Sequence, residues 1–284
     1  MMTVLGFAVV VGSILVGFWM EKGNFNVLLQ PAALLTIGGA GFGSLIVMTP
    51  PGLLGKILRE IRTLFSGAKH SKQISLEIIG LLYEVFVKVK RDGALAIEND
   101  VEDPDQSAIF KKYPAFLGNR AAVALLCDTL RLILLGASIR PHELDELMTI
   151  EIETHEEDEG RISGSLSTLA DAFPGLGIVA AVLGVIVTMG KMSESPEEIG
   201  KSIASALVGT FLGVLLCYGV VGPIAKLMEH RHRSERKILE AIRAALLAFS
   251  KDMPPRIAVE FGRRVLLEDD KPEYQEVEQV LKKR

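Results

Sequence analysis

Residues 2–20, MTVLGFAVVVGSILVGFWM, contain no charged side chain. A helix rises 1.5 Å per residue, so this stretch would extend roughly 28 Å, about the thickness of the hydrocarbon core of a bilayer. The alternative is a signal peptide, but no basic region precedes the apolar run and no A-x-A cleavage pattern follows it. The stretch therefore predicts a first membrane-spanning helix.

Three further stretches are apolar over a similar length and predict three more spans. A fifth apolar segment, residues 121–138, contains Asp128 and Arg131. Each charge costs about 2.5–3.5 kcal/mol on insertion, which offsets the gain from the aliphatic residues, so we expect a buried helix outside the membrane. The three further spans are VLLQPAALLTIGGAGFGSLIVMT at 27–49, LADAFPGLGIVAAVLGVIVTMG at 169–190 and SIASALVGTFLGVLLCYGVVGPIAKLM at 202–228.

Basic residues near the ends of the spans predict the orientation of the chain. They are frequent after the second span and after the fourth, whereas the two short loops carry few, so the segments after spans two and four should face the cytoplasm. Four spans then place both termini inside. The basic residues are Lys56, Arg59, Arg62, Lys69 and Lys72 after span two, Lys226, Arg231, Arg233, Arg236 and Lys237 at the end of span four, and Lys22, Lys191 and Lys201 in the loops.

The long segment between spans two and three has helical periodicity. Ile79, Leu82, Phe86 and Val89 recur at helical spacing, and residues 141–160 are strongly acidic, which is typical of a solvated helix. No alternation of strands is apparent, so the predicted fold is an all-α integral membrane protein. Its predicted parts are a transmembrane hairpin (1–49), a cytoplasmic helical domain (50–168), a second transmembrane hairpin (169–228) and a cytoplasmic tail (229–284).

Composition excludes several classes of function. Of the 284 residues 23% are charged, and the formal net charge of −4 gives no basic surface for nucleic acid. The two cysteines, Cys127 and Cys217, are isolated, so neither a disulfide framework nor a zinc site is expected. His155 begins the run HEED, which does not complete H-E-x-x-H. Without a nucleotide-binding or hydrolase motif, the sequence predicts neither an enzyme nor a cofactor.

The predicted spans contain almost no ionisable side chain. The exceptions are Asp171, at the start of span three, and Lys226, at the end of span four. Proton relays and ion pathways normally need an ionisable group inside the membrane. If the protein moves ions, another chain must supply the carboxylate; the alternative is a passive membrane anchor, and the residues alone leave both open.

Small residues and prolines mark spans three and four. Small residues spaced four apart occur at Gly177 and Ala181, at Ala180 and Gly184, and at Gly209 and Gly213. Such spacing lets helices approach closely, so these spans should pack on each other or on a partner.

Pro174 and Pro223 each lie about five residues from the cytoplasmic end of their span. A proline there removes a backbone hydrogen bond and favours a kink or hinge, although both could be ordinary prolines at helix ends.

Several blocks resemble the MotA family of flagellar stator A subunits, and the resemblance covers nearly the whole chain. They are KRDGALAIE at 90–98 with NDVEDPDQSAIFKKYP after it, EIETHEE at 151–157, PGLGIVAAVLGVI at 174–186, ALVGTFLGVLLCYGVVGP at 206–223 and PPRIAVEFGRR at 254–264. The more distant TolQ and ExbB energisers generally have three spans, so four spans favour the flagellar branch. A TolQ-like energiser and a passive scaffold remain as alternatives.

The resemblance implies a subunit of the bacterial inner membrane that turns ion flow into torque on the flagellar rotor. It implies self-association as a ring, expected to be a homopentamer, around a B-type partner that has one transmembrane helix with an aspartate and a peptidoglycan-binding domain. It implies that Pro174 and Pro223 couple ion binding to conformational change. It also implies that Lys90, Arg91 and Glu98 meet a rotor switch-complex protein from an exposed helical ridge; some relatives carry Arg at position 90.

The transported ion is expected to be the proton, with sodium as the alternative. Span three has Ala181 where sodium-driven relatives tend to carry threonine, so one oxygen ligand is missing. Thr210 in span four supplies a hydroxyl group on the expected ion path.

Overall fold

The computed structural model describes residues 2–65, 71–135, 139–190, 193 and 195–282. Within these ranges the chain is helical and contains no strand, as predicted. Four helical stretches are long and apolar enough to cross a membrane, which confirms the predicted number of spans. Lys69, Lys191 and residues 136–138, which entered the sequence argument, lie outside the described residues.

The chain forms two compact units. The first comprises Met1–Gly67 and Gly160–His230, and the second comprises Ala68–Glu159 and Arg231–Arg284. The predicted boundaries at 168/169 and 228/229 do not coincide with helix ends, because both fall inside continuous helices. The helices in chain order are α1 Met2–Met20, α2 Phe25–Leu28, α3 Pro31–Met48, α4 Leu53–Phe65, α5 Ser71–Asp92, α6 Glu98–Glu102, α7 Pro114–Leu117, α8 Arg120–Leu134, α9 Pro141–Met189, α10 Pro196–Leu215, α11 Gly222–Ser250, α12 Pro255–Val265 and α13 Tyr274–Lys282.

The first unit contains the predicted spans. In the isolated chain no residue of α1 is buried, as expected of a helix whose surroundings are lipid or other subunits. The second predicted span is interrupted: α2 ends at Leu28 and α3 begins at Pro31. Pro31 lacks an N–H group and so suits the first position of a helix rather than its interior. Gln30, in the break, donates from Nε2 to Ser205 Oγ of α10 over 2.9 Å.

Helix α4 follows the second span and is strongly amphipathic. Ile57 and Leu64 are buried in the core of the first unit, and Lys56, Arg59 and Arg62 lie on other sides of the helix. An amphipathic helix with basic residues directly after a span is typical of a segment at the membrane surface.

The second unit has a core built from α5, α8, α12 and α13 with parts of α9 and α11. Phe86 of α5 stacks on Phe249 of α11 with ring centroids 4.2 Å apart. Helix α8 puts its apolar face into this core and turns Asp128 and Arg131 outward, where they form an ion pair. The prediction that 121–138 contains a buried helix outside the spans is therefore correct for its described part. In α12, hydrogen bonds from Arg263 and then Arg264 lower the pKa of Glu260 to about 2.

Candidate functional site

The three predicted rotor-contact residues lie at the corner where α5 gives way to α6. Lys90 and Arg91 are in the last turn of α5, and Glu98 begins α6. Gly93 has a φ of 85°, a conformation that suits glycine, and a short 3₁₀ turn, Ala94–Ile97, completes the corner. All three side chains are exposed, as expected. They are divided between two helix ends, however, and do not lie on one helical ridge.

The corner is fixed by a hydrogen-bonded group that the sequence argument missed. Lys88 Nζ binds Asp100 Oδ2 over 2.7 Å, and Ser107 Oγ donates to Asp100 Oδ1 over 2.6 Å. The Ser107 hydroxyl oxygen in turn accepts the N–H groups of Ile109 and Phe110, each over 3.1 Å. These bonds attach the segment after the corner to α5.

The charged side chains at the corner differ in whether they already have an ion-pair partner. Arg91 forms a two-pronged ion pair with Asp92, with N–O distances of 2.9 and 2.7 Å, and its hydrogen bond lowers the pKa of the Asp92 carboxyl. Lys90 and Glu98 have no ion-pair partner within the described residues. Leu95, between them, is 72% exposed. Besides the paired Arg91, the corner therefore presents to solvent one cation and one anion that have no ion-pair partner within the described residues, and an apolar side chain.

In the first unit, spans three and four approach each other at their glycines. A Cβ atom on Gly213 would lie 2.5 Å from the carbonyl oxygen of Phe173 and 2.8 Å from the Cα atom of Gly177. A Cβ atom on Gly184 would lie 2.7 Å from that of Ala206. The small residues singled out in the sequence therefore let spans three and four pack on each other within one chain.

Ala181 and Thr210 lie on the two sides of this contact. A Cβ atom on Gly209, the neighbour of Thr210, would be 3.1 Å from the backbone nitrogen of Ala181. Both Ala181 and Thr210 are partly buried in the single chain. The structure therefore brings together the turns that carry these two predicted ion-path residues.

The two prolines have different surroundings. Pro174 lies in the interior of α9 and has no N–H group to donate to the carbonyl of Ala170. Pro223 is the second residue of α11 and follows a π-helical segment, Leu216–Val221, in which the Gly222 N–H group bonds to Cys217 O. Such a segment shifts the hydrogen-bond register and is frequent at functional positions. The sequence argument identified Pro223 but missed the π-helical segment.

Comparisons with known proteins agree with this arrangement. Residues 4–93 match a family described as Motility protein A N-terminal, and residues 121–241 match the MotA/TolQ/ExbB proton channel family. The chain is 36% identical to Motility protein A of Salmonella typhimurium and 37% identical to that of Escherichia coli, over 98% of this chain and 94% of each relative. It is 32% identical to the chemotaxis protein LafT of Vibrio parahaemolyticus, over 98% of this chain and 97% of the relative.

Two solved structures share the fold. One is the structure of C. jejuni MotAB, with a TM-score of 0.77 and 21% identity over 96% of this chain and 98% of that chain. The other is the flagellar MotAB stator complex from Bacillus subtilis, with a TM-score of 0.72 and 24% identity over 90% of this chain and 92% of that chain. The family resemblance stated from the sequence is confirmed: the chain is a membrane protein that belongs to the Motility protein A family.

Proposed function

We propose that this chain is the A-type subunit of a flagellar motor stator, and that it forms an ion channel with a B-type partner and converts ion flow into torque on the rotor. The observation that carries the proposal is the near absence of ionisable side chains from spans whose glycines pack closely. A pathway built on such spans needs a carboxylate from another chain. Relatives whose printed names describe motility proteins and a MotAB stator complex support that partnership. The work is transport coupled to motion, without covalent catalysis by these residues.

The test of this function is complementation. In a strain deleted for its own stator genes, the chain expressed with its B-type partner should restore swimming, and the chain alone should not. Rescue of an outer-membrane uptake or envelope defect without rescue of swimming would instead support a TolQ-like energiser, the second branch of the matched channel family.

We place the protein in the bacterial inner membrane with both termini in the cytoplasm, on the argument from basic residues. The endogenous Cys127 is a poor reporter of topology, since burial raises the pKa of its thiol to about 12. We expect a cysteine introduced at Ser193 to react with a membrane-impermeant maleimide in intact cells. A cysteine at the exposed position Glu153 should react only after permeabilisation, and the reverse pattern would contradict this topology.

Protons are the proposed ion. Ala181 offers no side-chain oxygen, and Thr210 supplies a single hydroxyl near it, which is a poor ligand set for a sodium ion that must exchange its water shell for oxygen ligands. Swimming should persist in medium without sodium and stop when a protonophore collapses the proton gradient. Swimming speed that follows external sodium at a constant proton gradient would show that the ion is sodium.

We further propose that Lys90 and Glu98 meet opposite charges on the rotor. Because an exposed ion pair contributes about 0–1 kcal/mol, neutralising Lys90 alone should reduce swimming only mildly. Reversing both charges, Lys90→Glu with Glu98→Lys, turns attraction into repulsion and should reduce swimming speed severely, while membrane insertion and binding of the B-type partner remain normal.

The matched control exchanges an exposed ion pair elsewhere. Glu278 and Lys282 pair over 3.2 Å on α13, and swapping them should leave swimming unchanged. Charge reversal on the rotor should restore part of the motility of the Lys90/Glu98 double variant. Normal swimming of that variant would mean that the corner is merely solvated.

A further inference from the structure

Three side chains from two helices converge in the second unit. His155 and Glu159 are four residues apart on α9 and so lie on the same face, and Glu235 faces them from α11. One imidazole nitrogen and one oxygen from each carboxylate lie within 4.8 Å of one another. We propose that His155, Glu159 and Glu235 bind a divalent transition-metal ion and that this ion links α9 to α11. Zn²⁺ is the expected ion.

The spacing of the donor atoms fits a small tetrahedral ion. Ligands held about 2.0–2.1 Å from zinc at tetrahedral angles lie roughly 3.4 Å apart. His155 Nε2 and Glu159 Oε1 are already 3.4 Å apart. The Glu235 carboxylate lies within 4.8 Å of both atoms and would move closer to complete the third position. Water would fill the fourth.

The surroundings of the His155 Nε2 atom also suit a bound ion. This atom is shielded from solvent and makes no hydrogen bond within the described residues, even though the Glu159 carboxylate is beside it. A shielded nitrogen that makes no hydrogen bond is costly, and a metal bound between it and the Glu159 carboxylate would satisfy it. Arg236, next to Glu235 in the chain, forms its own ion pairs with Glu156 and Glu240.

The ligand types select the class of ion. Imidazole nitrogen disfavours Mg²⁺ and Ca²⁺, which prefer oxygen ligands, and suits zinc and its neighbours. Raw affinity does not single out zinc, because the order of affinities among these ions peaks at copper; the tetrahedral spacing of the donor atoms is what favours zinc. The site would then join two helices of the core by a structural link, independently of the ion that drives the motor.

The proposed site is not visible in the sequence. The H-E-x-x-H motif, which the run after His155 does not complete, requires a second histidine one turn later on the same helix. Here the residue one turn later is Glu159, and the third ligand belongs to a helix that is remote along the chain. Only the packing of α11 on α9 shows the convergence.

The experiment measures metal binding by the full chain in detergent, after removal of any affinity tag and stripping with a chelator. Titration calorimetry with Zn²⁺ should give one saturable site per chain, and Co²⁺ should give the visible absorption of a tetrahedral complex. Zn²⁺ should also raise the Tm of the protein, because an ion that binds the folded state stabilises it. Mg²⁺ at the same concentration should have none of these effects.

Variants identify the ligands. His155→Ala, Glu159→Gln and Glu235→Gln should each weaken Zn²⁺ binding at least tenfold and abolish the Tm shift. The controls are exposed residues of the same helix, His142→Ala and Glu157→Gln, which should bind as the unaltered chain does. If His155→Ala fails to fold, the nearly isosteric Glu159→Gln variant decides the question.

Three results would overturn the proposal: no saturable Zn²⁺ binding by the unaltered chain, undiminished binding by the ligand variants, or an equal loss in the controls, which indicates adsorption to surface carboxylates. None of these measurements involves swimming, so failure of the metal site would leave the proposed motor function untouched.

Discussion

Gly213→Ala is expected to abolish swimming and to lower the free energy of unfolding by about 1–3 kcal/mol, the usual cost of inserting a methyl group into a closely packed contact. The new Cβ atom would lie 2.5 Å from Phe173 O and 2.8 Å from Gly177 Cα. Both are backbone atoms of α9, so a side-chain rotation cannot relieve the clash, and α10 must move away from α9. In lipid, close backbone packing is a main source of helix association, so separation removes what holds the spans together.

The measurements are the swimming speed, the yield of complex with the B-type partner in detergent and the Tm of that complex. The control is Gly200→Ala on the same helix, where a Cβ atom would meet no heavy atom within 4 Å. Because alanine favours a helix over glycine by about 1 kcal/mol, the control should be neutral or slightly stabilising. A Gly213→Ala complex that swims and melts normally would show that the contact between spans three and four tolerates separation.

Features that depend on neighbouring residues along the chain were predictable from the sequence. The four spans follow from uncharged stretches of sufficient length, because insertion energy is nearly a sum over residues. The charges of Asp128 and Arg131 correctly placed α8 outside the spans for the same reason. The spacing of small residues predicted a closely packed helix face, since residues four apart share a face, but it left open whether spans three and four meet each other or a partner.

Helix continuity is not visible in the hydropathy pattern. The predicted third span begins at residue 169, whereas the helix that contains it, α9, runs from Pro141 to Met189. The helical backbone satisfies its own hydrogen bonds in water and in lipid, so a change of surroundings alone does not end it. Conversely, Pro31 begins a new helix within the uncharged stretch 27–49, a local signal that hydropathy alone does not register.

Contacts between distant segments could not be predicted at all. The ion pair of Lys88 with Asp100 depends on the turn that Gly93 permits, and the convergence of His155 with Glu235 depends on how two helices pack. Charge and residue type suggest that such side chains need partners, but a single sequence does not identify the partner. The charges of the corner can thus be read from residues 90–98, but the hydrogen bonds that fix its position cannot.

Pro174→Ala is expected to leave the complex assembled but to slow or stop rotation. Alanine restores an N–H group that can bond to Ala170 O, and an interior proline costs a helix about 3 kcal/mol relative to alanine, so the Tm should stay the same or rise. The preceding residue, Phe173, presents its carbonyl oxygen to Gly213 of span four. Proline therefore weakens α9 at the turn where the two spans touch, and a stiffer turn should resist the bending that follows ion binding.

The decisive comparison separates assembly from rotation. Rotation speed of tethered cells should fall severely in Pro174→Ala, whereas the yield and Tm of the complex do not fall. Pro141→Ala is the matched control, because Pro141 is the first residue of α9, where no N–H group is needed and the substitution adds no interior hydrogen bond. It should rotate normally. If Pro174→Ala rotates as fast as this control, the missing hydrogen bond at Ala170 has no part in coupling, and the hinge role of Pro174 has to be abandoned.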